Sequence, residues 1–310
     1  MAKQINYSFV IPHHNTPELL QRLIDSIPQR EDIEIIVVDD NSDKNKKANV
    51  FRSDVTTIFI DEEHTKGAGH ARNVGMDTAK GTWILFADAD DFYKPNFMDV
   101  LDEYKDDDIE MLFFNVDAVD CETLQPLTEY RSKFHQRQFE EFDGSEESIA
   151  NFLFWGYGPW RKMMRRDFIN KFEIRFEEIP VSNDSFFSLQ ASYFVKKWKM
   201  DKRILYSLSL NRNSLTYSPV TKKKYSTYLY LFPRRREFFK YIGHPEWNLK
   251  SMKGYHSQSC FRYIFKLIKK QPFTGFEALY YYLTHFIWIE QSSDLYIKKI
   301  ENIKRKKEKV

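Results

Sequence analysis

The chain has 310 residues, 42% hydrophobic and 16% aromatic, enough for a substantial core in one large or two ordinary domains. Its net charge of +2 conceals a split: residues 206–310 carry 21 Lys/Arg against 7 Asp/Glu, and residues 1–205 carry 26 against 38, so two regions with different partners are expected. No apolar run is long enough to span a bilayer, no basic-then-apolar leader is legible, and Cys121 and Cys260 suit a reducing cytoplasm better than a disulfide scaffold.

Residues 5–12 read as a first strand. Thr16 then Pro17 reads as an N-cap and first helical position, followed by Leu19, Leu20, Leu23, Ile24 and Ile27 at helical spacing. Residues 33–38 form a second strand that ends at Asp39-Asp40-Asn41-Ser42, and residues 57–60 a short third. A helix is predicted from Gly69 to Ala79, with Gly81 just beyond it, then a fourth strand over 83–87. A helix follows Pro95, and Met111 to Val116 is a further strand. Strands alternating with helices predict βαβ units and a parallel sheet. Past residue 120 the pattern loosens, with polar stretches such as 129–147 interrupting it; from about 220 the chain reads as helical, aromatic and basic, with a frayed tail over 304–309.

Two apolar runs stop at carboxylates: Asp39-Asp40, and Asp88-Ala89-Asp90-Asp91. Strands of one parallel sheet end on the same side, so both sets should meet in one crevice. An Asp-x-Asp pair reads two ways, as an acidic turn into a helix or as a site for a hard divalent cation shared with phosphate. Asp184, within Val181-Ser-Asn-Asp-Ser-Phe-Phe187, reads either as a helix N-terminal carboxylate or as a catalytic base. No G-x-G-x-x-G loop follows the first strand, and there is no P-loop and no G-x-S-x-G elbow. His13-His14 reads as a polar loop rather than a metal site, because no Cys or His stands at ligand spacing from it.

Four segments in order carry a resemblance: Val37-Val-Asp-Asp-Asn-Ser42, Gly67-Ala-Gly-His-Ala-Arg-Asn73, Phe86-Ala-Asp-Ala-Asp-Asp91 and Asn183-Asp184. Together the chain resembles the family 2 glycosyltransferases of the GT-A fold, closely over 5–116 and more loosely to about 215. That resemblance implies an inverting glycosyltransferase that moves a sugar from a UDP-sugar to a glycan or lipid-linked glycan, in surface polysaccharide assembly such as capsule or lipopolysaccharide. It implies a GT-A catalytic domain over 1–215, with a Rossmann-like, mostly parallel sheet flanked by helices. Within it, 1–116 would be the nucleotide-sugar half and 117–215 the acceptor half, and 216–310 a helical C-terminal region. By the same resemblance, Asp40 holds the uracil with Pro12 along the base, and Asp39 supports that turn. Arg72 lies near base and diphosphate, Asp88 faces the ribose or donor sugar, and Asp90 binds Mn²⁺ or Mg²⁺. Asp184 is the base, and Trp160, Arg161 and Lys162 line the acceptor site. Two positions depart from the family: Asn183 stands where an acid is usual, and Thr65 where the glycine-containing loop often begins with Asn.

Phe261, Ile264, Phe265 and Ile268 fall at i, i+3, i+4 and i+7, with Arg262, Lys266, Lys269 and Lys270 on the other side. This amphipathic helix either packs on the rest of the protein or attaches it peripherally to an anionic membrane surface. No nucleic-acid-binding motif is present. Two other functions remain open: a sugar nucleotidyltransferase, although residues 12–17 lack the Gly-rich loop it needs, and a non-catalytic nucleotide-sugar or glycan binder.

Overall fold

Three strands, Tyr7–His13, Ile33–Asp40 and Trp83–Phe86, are mainly apolar runs, and the order of the strands in space fixes where ligands can sit. The computed structural model describes residues 4–128, 130–211, 218–245 and 260–307. It falls into two compact units, Met1–Ser214 and Leu215–Val310. The expected boundary at 215 and 216 lies outside the described residues.

In the first unit, β1 (Tyr7–His13), β2 (Ile33–Asp40), β3 (Val55–Ile60), β4 (Trp83–Phe86), β5 (Phe92–Tyr93), β6 (Met111–Asp120), β7 (Lys162–Arg165) and β8 (Trp198–Leu210) form one sheet. Its order is β3-β2-β1-β4-β7-β6-β8-β5. The first four in that order are parallel, as the alternation of strands and helices predicts. β7 then runs antiparallel to β4 and to β6, while β6 and β8 are parallel. β1, β2 and β4 are buried nearly throughout, as strands covered on both faces must be.

The helices are α1 (Pro17–Ser26), α2 (Ala68–Thr78), α3 (Phe97–Asp102), α4 (Tyr130–Glu140), α5 (Glu146–Phe154), α6 (Arg166–Lys171) and α7 (Asp184–Phe194). α1 buries Leu20, Leu23 and Ile24, and starts at Pro17 as expected. Thr16 precedes it without a side-chain capping bond, so proline geometry rather than a cap sets this start. α4 corrects the reading of 129–147 as an interruption. Its polar residues follow no clean helical stripe, and His135 and Gln138 go inward to meet Arg161.

The second unit is α8 (Lys222–Tyr241), α9 (Cys260–Lys270) and α10 (Pro272–Lys307), around a core that includes Tyr225, Leu229, Ile264, Leu267, Ala278, Tyr282 and Ile289. α9 turns a different face inward from the one expected: Cys260, Ile264 and Leu267 are buried, whereas Phe261 and Phe265 are exposed. The corner between α9 and α10 is tight. A Cβ on Gly275 would stand 2.5 Å from the Cα of Ile268, so the close approach of the two helices requires glycine there. Lys304 to Lys307 continue α10 instead of fraying. No helix among the described residues is long and apolar enough to cross a membrane.

Candidate active site

β1 and β2 are in register at Pro12 with Val38 and His13 with Asp39, so their carboxyl ends stop together. Asp39 is 1% exposed and accepts three hydrogen bonds: from His13 at 2.9 Å, the Ser42 N–H at 2.9 Å and the Ala48 N–H at 2.7 Å. Burial pushes this carboxyl up, but those donors outweigh it and hold it at about 2. These bonds tie Asp39 to β1 and to the loop over residues 42–48. His13 is the buried last residue of β1, not part of a polar loop as the sequence suggested. Asp40, the next residue, accepts from the Thr65 hydroxyl at 2.8 Å. Thr65 thus makes a contact to Asp40 from the position where the family often has Asn.

α2 begins where Gly67, at φ +88°, turns the chain into it. Gly69 is required by closeness: a Cβ there would stand 2.1 Å from the Glu177 carbonyl oxygen. That contact brings α2 against the segment leading to Asp184. One turn along α2, the buried Arg72 reaches in two directions. Its Nη2 donates to Asp88 at 2.5 Å, and its Nη1 to Asn183 at 2.8 Å. The guanidinium also lies 5.3 Å from the Phe176 ring, which stacks on Phe187 of α7 at 3.8 Å.

The Asp88-Asp91 turn leaves β4 with its three acids pointing to different jobs. Asp88 is about one-third exposed and paired with Arg72. Asp91 is buried and accepts from the Tyr206 hydroxyl at 2.8 Å and the Ser209 N–H at 2.6 Å, tying the turn to β8. Burial, then the charges of Asp90 and Asp88, push its carboxyl well up. Asp90 receives no side-chain hydrogen bond from another described residue, while its backbone carbonyl accepts from Arg22 at 2.6 Å. Burial and the neighbouring Asp88 charge push the Asp90 carboxyl up to about 6. A half-buried carboxylate with no donor, raised by a like charge, suits a divalent cation. Among the described residues no group of three or more metal-ligating side chains exists, so such an ion would take most of its ligands from a diphosphate.

Asp184 is the first residue of α7, after Ser182 at φ +56° and Asn183. A serine held in the left-handed region just before an acid marks a conformation that the surroundings enforce. Burial pushes the Asp184 carboxyl up, Arg72 and Lys162 pull it down, and Asp88 adds to the rise. Asp184, Arg72, Asp88 and Lys162 therefore share one electrostatic environment.

Trp160, Arg161 and Lys162, which the resemblance places along the acceptor site, are all buried. Trp160 lies parallel to Tyr206 at 5.9 Å, so one ring face is covered. Arg161 packs among Phe113, Phe139 and Phe152, and burial lowers it to about 9. Lys162 donates to the Gly156 carbonyl at 2.9 Å, the Gly158 carbonyl at 3.1 Å and the Ser188 hydroxyl at 3.1 Å. The bond to Ser188 ties Lys162 to α7, the helix that Asp184 begins. Arg22 and Tyr206 escaped the sequence reading, and His13 entered it only as part of a polar loop. Only His13 had a local signal, its place one residue past the proline that ends an apolar run.

Residues 8–172 match the family described as Glycosyl transferase family 2. EpsH of Bacillus subtilis is 23% identical over 269 residues, 82% of this chain and 75% of its own. The GalNAc(5)-diNAcBac-PP-undecaprenol beta-1,3-glucosyltransferase of Campylobacter jejuni is 34% identical over 90 residues, 27% of this chain and 29% of its own. Among solved structures, S. aureus TarS 1-349 in complex with UDP-GlcNAc superposes with a TM-score of 0.56 at 18% identity, over 74% of this chain and 66% of that one. The likeness to TarS bears out the GT-A expectation for the sheet and its helices. With a match that takes in more than half of its residues, the chain belongs to glycosyl transferase family 2.

Proposed function

We propose that this glycosyltransferase moves a sugar from a UDP-sugar to a hydroxyl of a glycan or lipid-linked glycan, inverting the anomeric carbon, in surface polysaccharide assembly. The observation that carries the reading is the shared environment of Asp184, Arg72 and Asp88, brought from three separate elements to the carboxyl edge of the sheet. UDP-GlcNAc in the TarS complex supports a UDP-sugar donor, and the name of the Campylobacter relative supports an acceptor carried on undecaprenol. Such an acceptor calls for a membrane-side location.

Asp40 and Pro12 hold the base at the ends of β2 and β1. Asp88, locked by Arg72, meets the ribose or the donor sugar. A divalent cation bound at Asp90 would supply countercharge to the diphosphate as it leaves. Asp184 takes the proton of the acceptor hydroxyl as that oxygen attacks. Its raised carboxyl makes it a stronger base than an ordinary aspartate, and one base suffices for a single displacement with inversion. Trp160, Arg161 and Lys162 hold the acceptor-side wall from beneath.

A thermal-shift screen of UDP-sugars with Mn²⁺, followed by turnover of the donor that stabilises most, tests the reading. The expected result is stabilisation by UDP compounds and slow donor hydrolysis. Nucleotide binding with no turnover of any donor or acceptor would leave a binding protein instead.

A further inference from the structure

The first half of α10 is apolar on two faces. One carries Ala278, Tyr282 and Ile289 and is buried in the core of its own unit. The other carries Phe273, Phe276, Tyr280, Leu283 and Ile287, at alternating steps of three and four, so they form one outward stripe. All five are exposed, Phe273 by 90% and Ile287 by 71%. A helix in water gives its outer face to polar side chains. Here the stripe runs for about 21 Å at the helical rise per residue. It spans only two heptads, fewer than a coiled-coil seam sustains.

Charge is distributed unevenly around it. Between residues 272 and 287 the only Asp, Glu, Lys or Arg is Glu277. The preceding helix α9 has no acid and exposes Arg262, Lys266, Lys269 and Lys270, beside exposed Phe261 and Phe265. Phe261 and Phe286 also line a cavity of about 350 Å³ with Phe232, Cys260, Tyr282 and the paired Arg236 and Glu290. An aromatic face edged by basic residues is the composition that rests at a lipid–water boundary, and the basic edge matches anionic headgroups.

We propose that the Phe273–Ile287 stripe and the basic edge of α9 dock the helical unit on an anionic membrane surface. α10 would lie in the interface plane with its stripe among the headgroups. This rests on the second unit alone and does not depend on the transfer reaction.

Sedimentation of the full chain with vesicles tests it, using phosphatidylcholine with and without added phosphatidylglycerol. The protein should pellet only with the anionic vesicles, and less so as salt rises. Phe276→Ser with Leu283→Ser should lower partitioning by on the order of tenfold or more. Lys269→Gln with Lys270→Gln should lower it roughly fivefold per charge at low salt. Neither pair should change the melting temperature or the mass in solution. Failure of the wild type to pellet at low salt overturns the proposal, as does a serine pair that pellets like wild type. A wild-type dimer that the serine pair splits into monomers would assign the stripe to a second copy of the chain.

Discussion

Arg72 Nη1 donates to Asn183 Oδ1 at 2.8 Å, joining α2 to the residue before Asp184 across 111 positions of sequence. The other arm of the same guanidinium holds Asp88. Asn183 thus supplies, as a neutral acceptor, what an acid would supply with charge. A second carboxylate beside Asp184 would push that acid further up. Arg72→Lys should therefore lower turnover by roughly 10- to 100-fold with the fold intact, because a point charge cannot span two partners as a planar fork does. Steady-state kinetics with circular dichroism checks this; an unchanged kcat would show that the bridge is dispensable.

Gly69→Ala tests the packing that brings α2 to the base. The added Cβ meets the Glu177 carbonyl at 2.1 Å, a backbone atom that can yield only by shifting the segment bearing Asp184. Stability should drop by roughly 1–3 kcal/mol, and turnover should fall further than that loss explains. Urea unfolding alongside kinetics separates the two effects.

Asp90 couples cation binding to pH. Its carboxyl sits at about 6 because of burial and the Asp88 charge, so a cation must displace a proton below that value. Mn²⁺ affinity should fall roughly tenfold from pH 7 to pH 5, with proton release visible by calorimetry in buffers of different ionisation heat. The sign for stability is the opposite of that for a salt-bridged acid. The folded state binds this proton more tightly than the unfolded chain, so stability falls as pH rises from about 4 through 6. Asp90→Asn should then stabilise the metal-free protein at pH 7 by on the order of 1–2 kcal/mol and abolish the Mn²⁺ effect. No stability gain would mean that the carboxylate is better compensated than its surroundings indicate.

Asp39 titrates the other way. Three donors hold it at about 2, so its contribution is fully present above the unfolded value near 4 and is lost as pH falls through 2. Asp39→Asn should cost on the order of 1–3 kcal/mol at pH 7, with the difference from wild type shrinking toward pH 2. Urea titrations across that range read it directly.

The parallel half of the sheet was legible because β1, β2 and β4 are largely apolar runs, two of which, β2 and β4, stop at carboxylates. The antiparallel β7 was not: Lys162–Arg165 is short and basic, and its strand character comes from pairing with β4 and β6. The acceptor-side place of Trp160 came from the family resemblance alone, and its burial depends on the three-dimensional neighbours Tyr206 and His135, which no local pattern shows. α9 misled through a second valid helical stripe, Cys260, Ile264 and Leu267, which is the one that meets the core of its unit. The roles of Tyr206 and Arg22 depend on partners more than sixty residues away, which no local pattern carries.

The central claim is that Asp184 is the base. With a donor identified, transfer should be measured for wild type and Asp184→Asn together with UDP affinity and the anomeric configuration of the product. The account predicts a loss of roughly 10²–10⁴ in kcat for the variant, UDP binding unchanged, and an inverted product from the wild type. Transfer by Asp184→Asn at the wild-type rate, or a product with retained configuration, would contradict it.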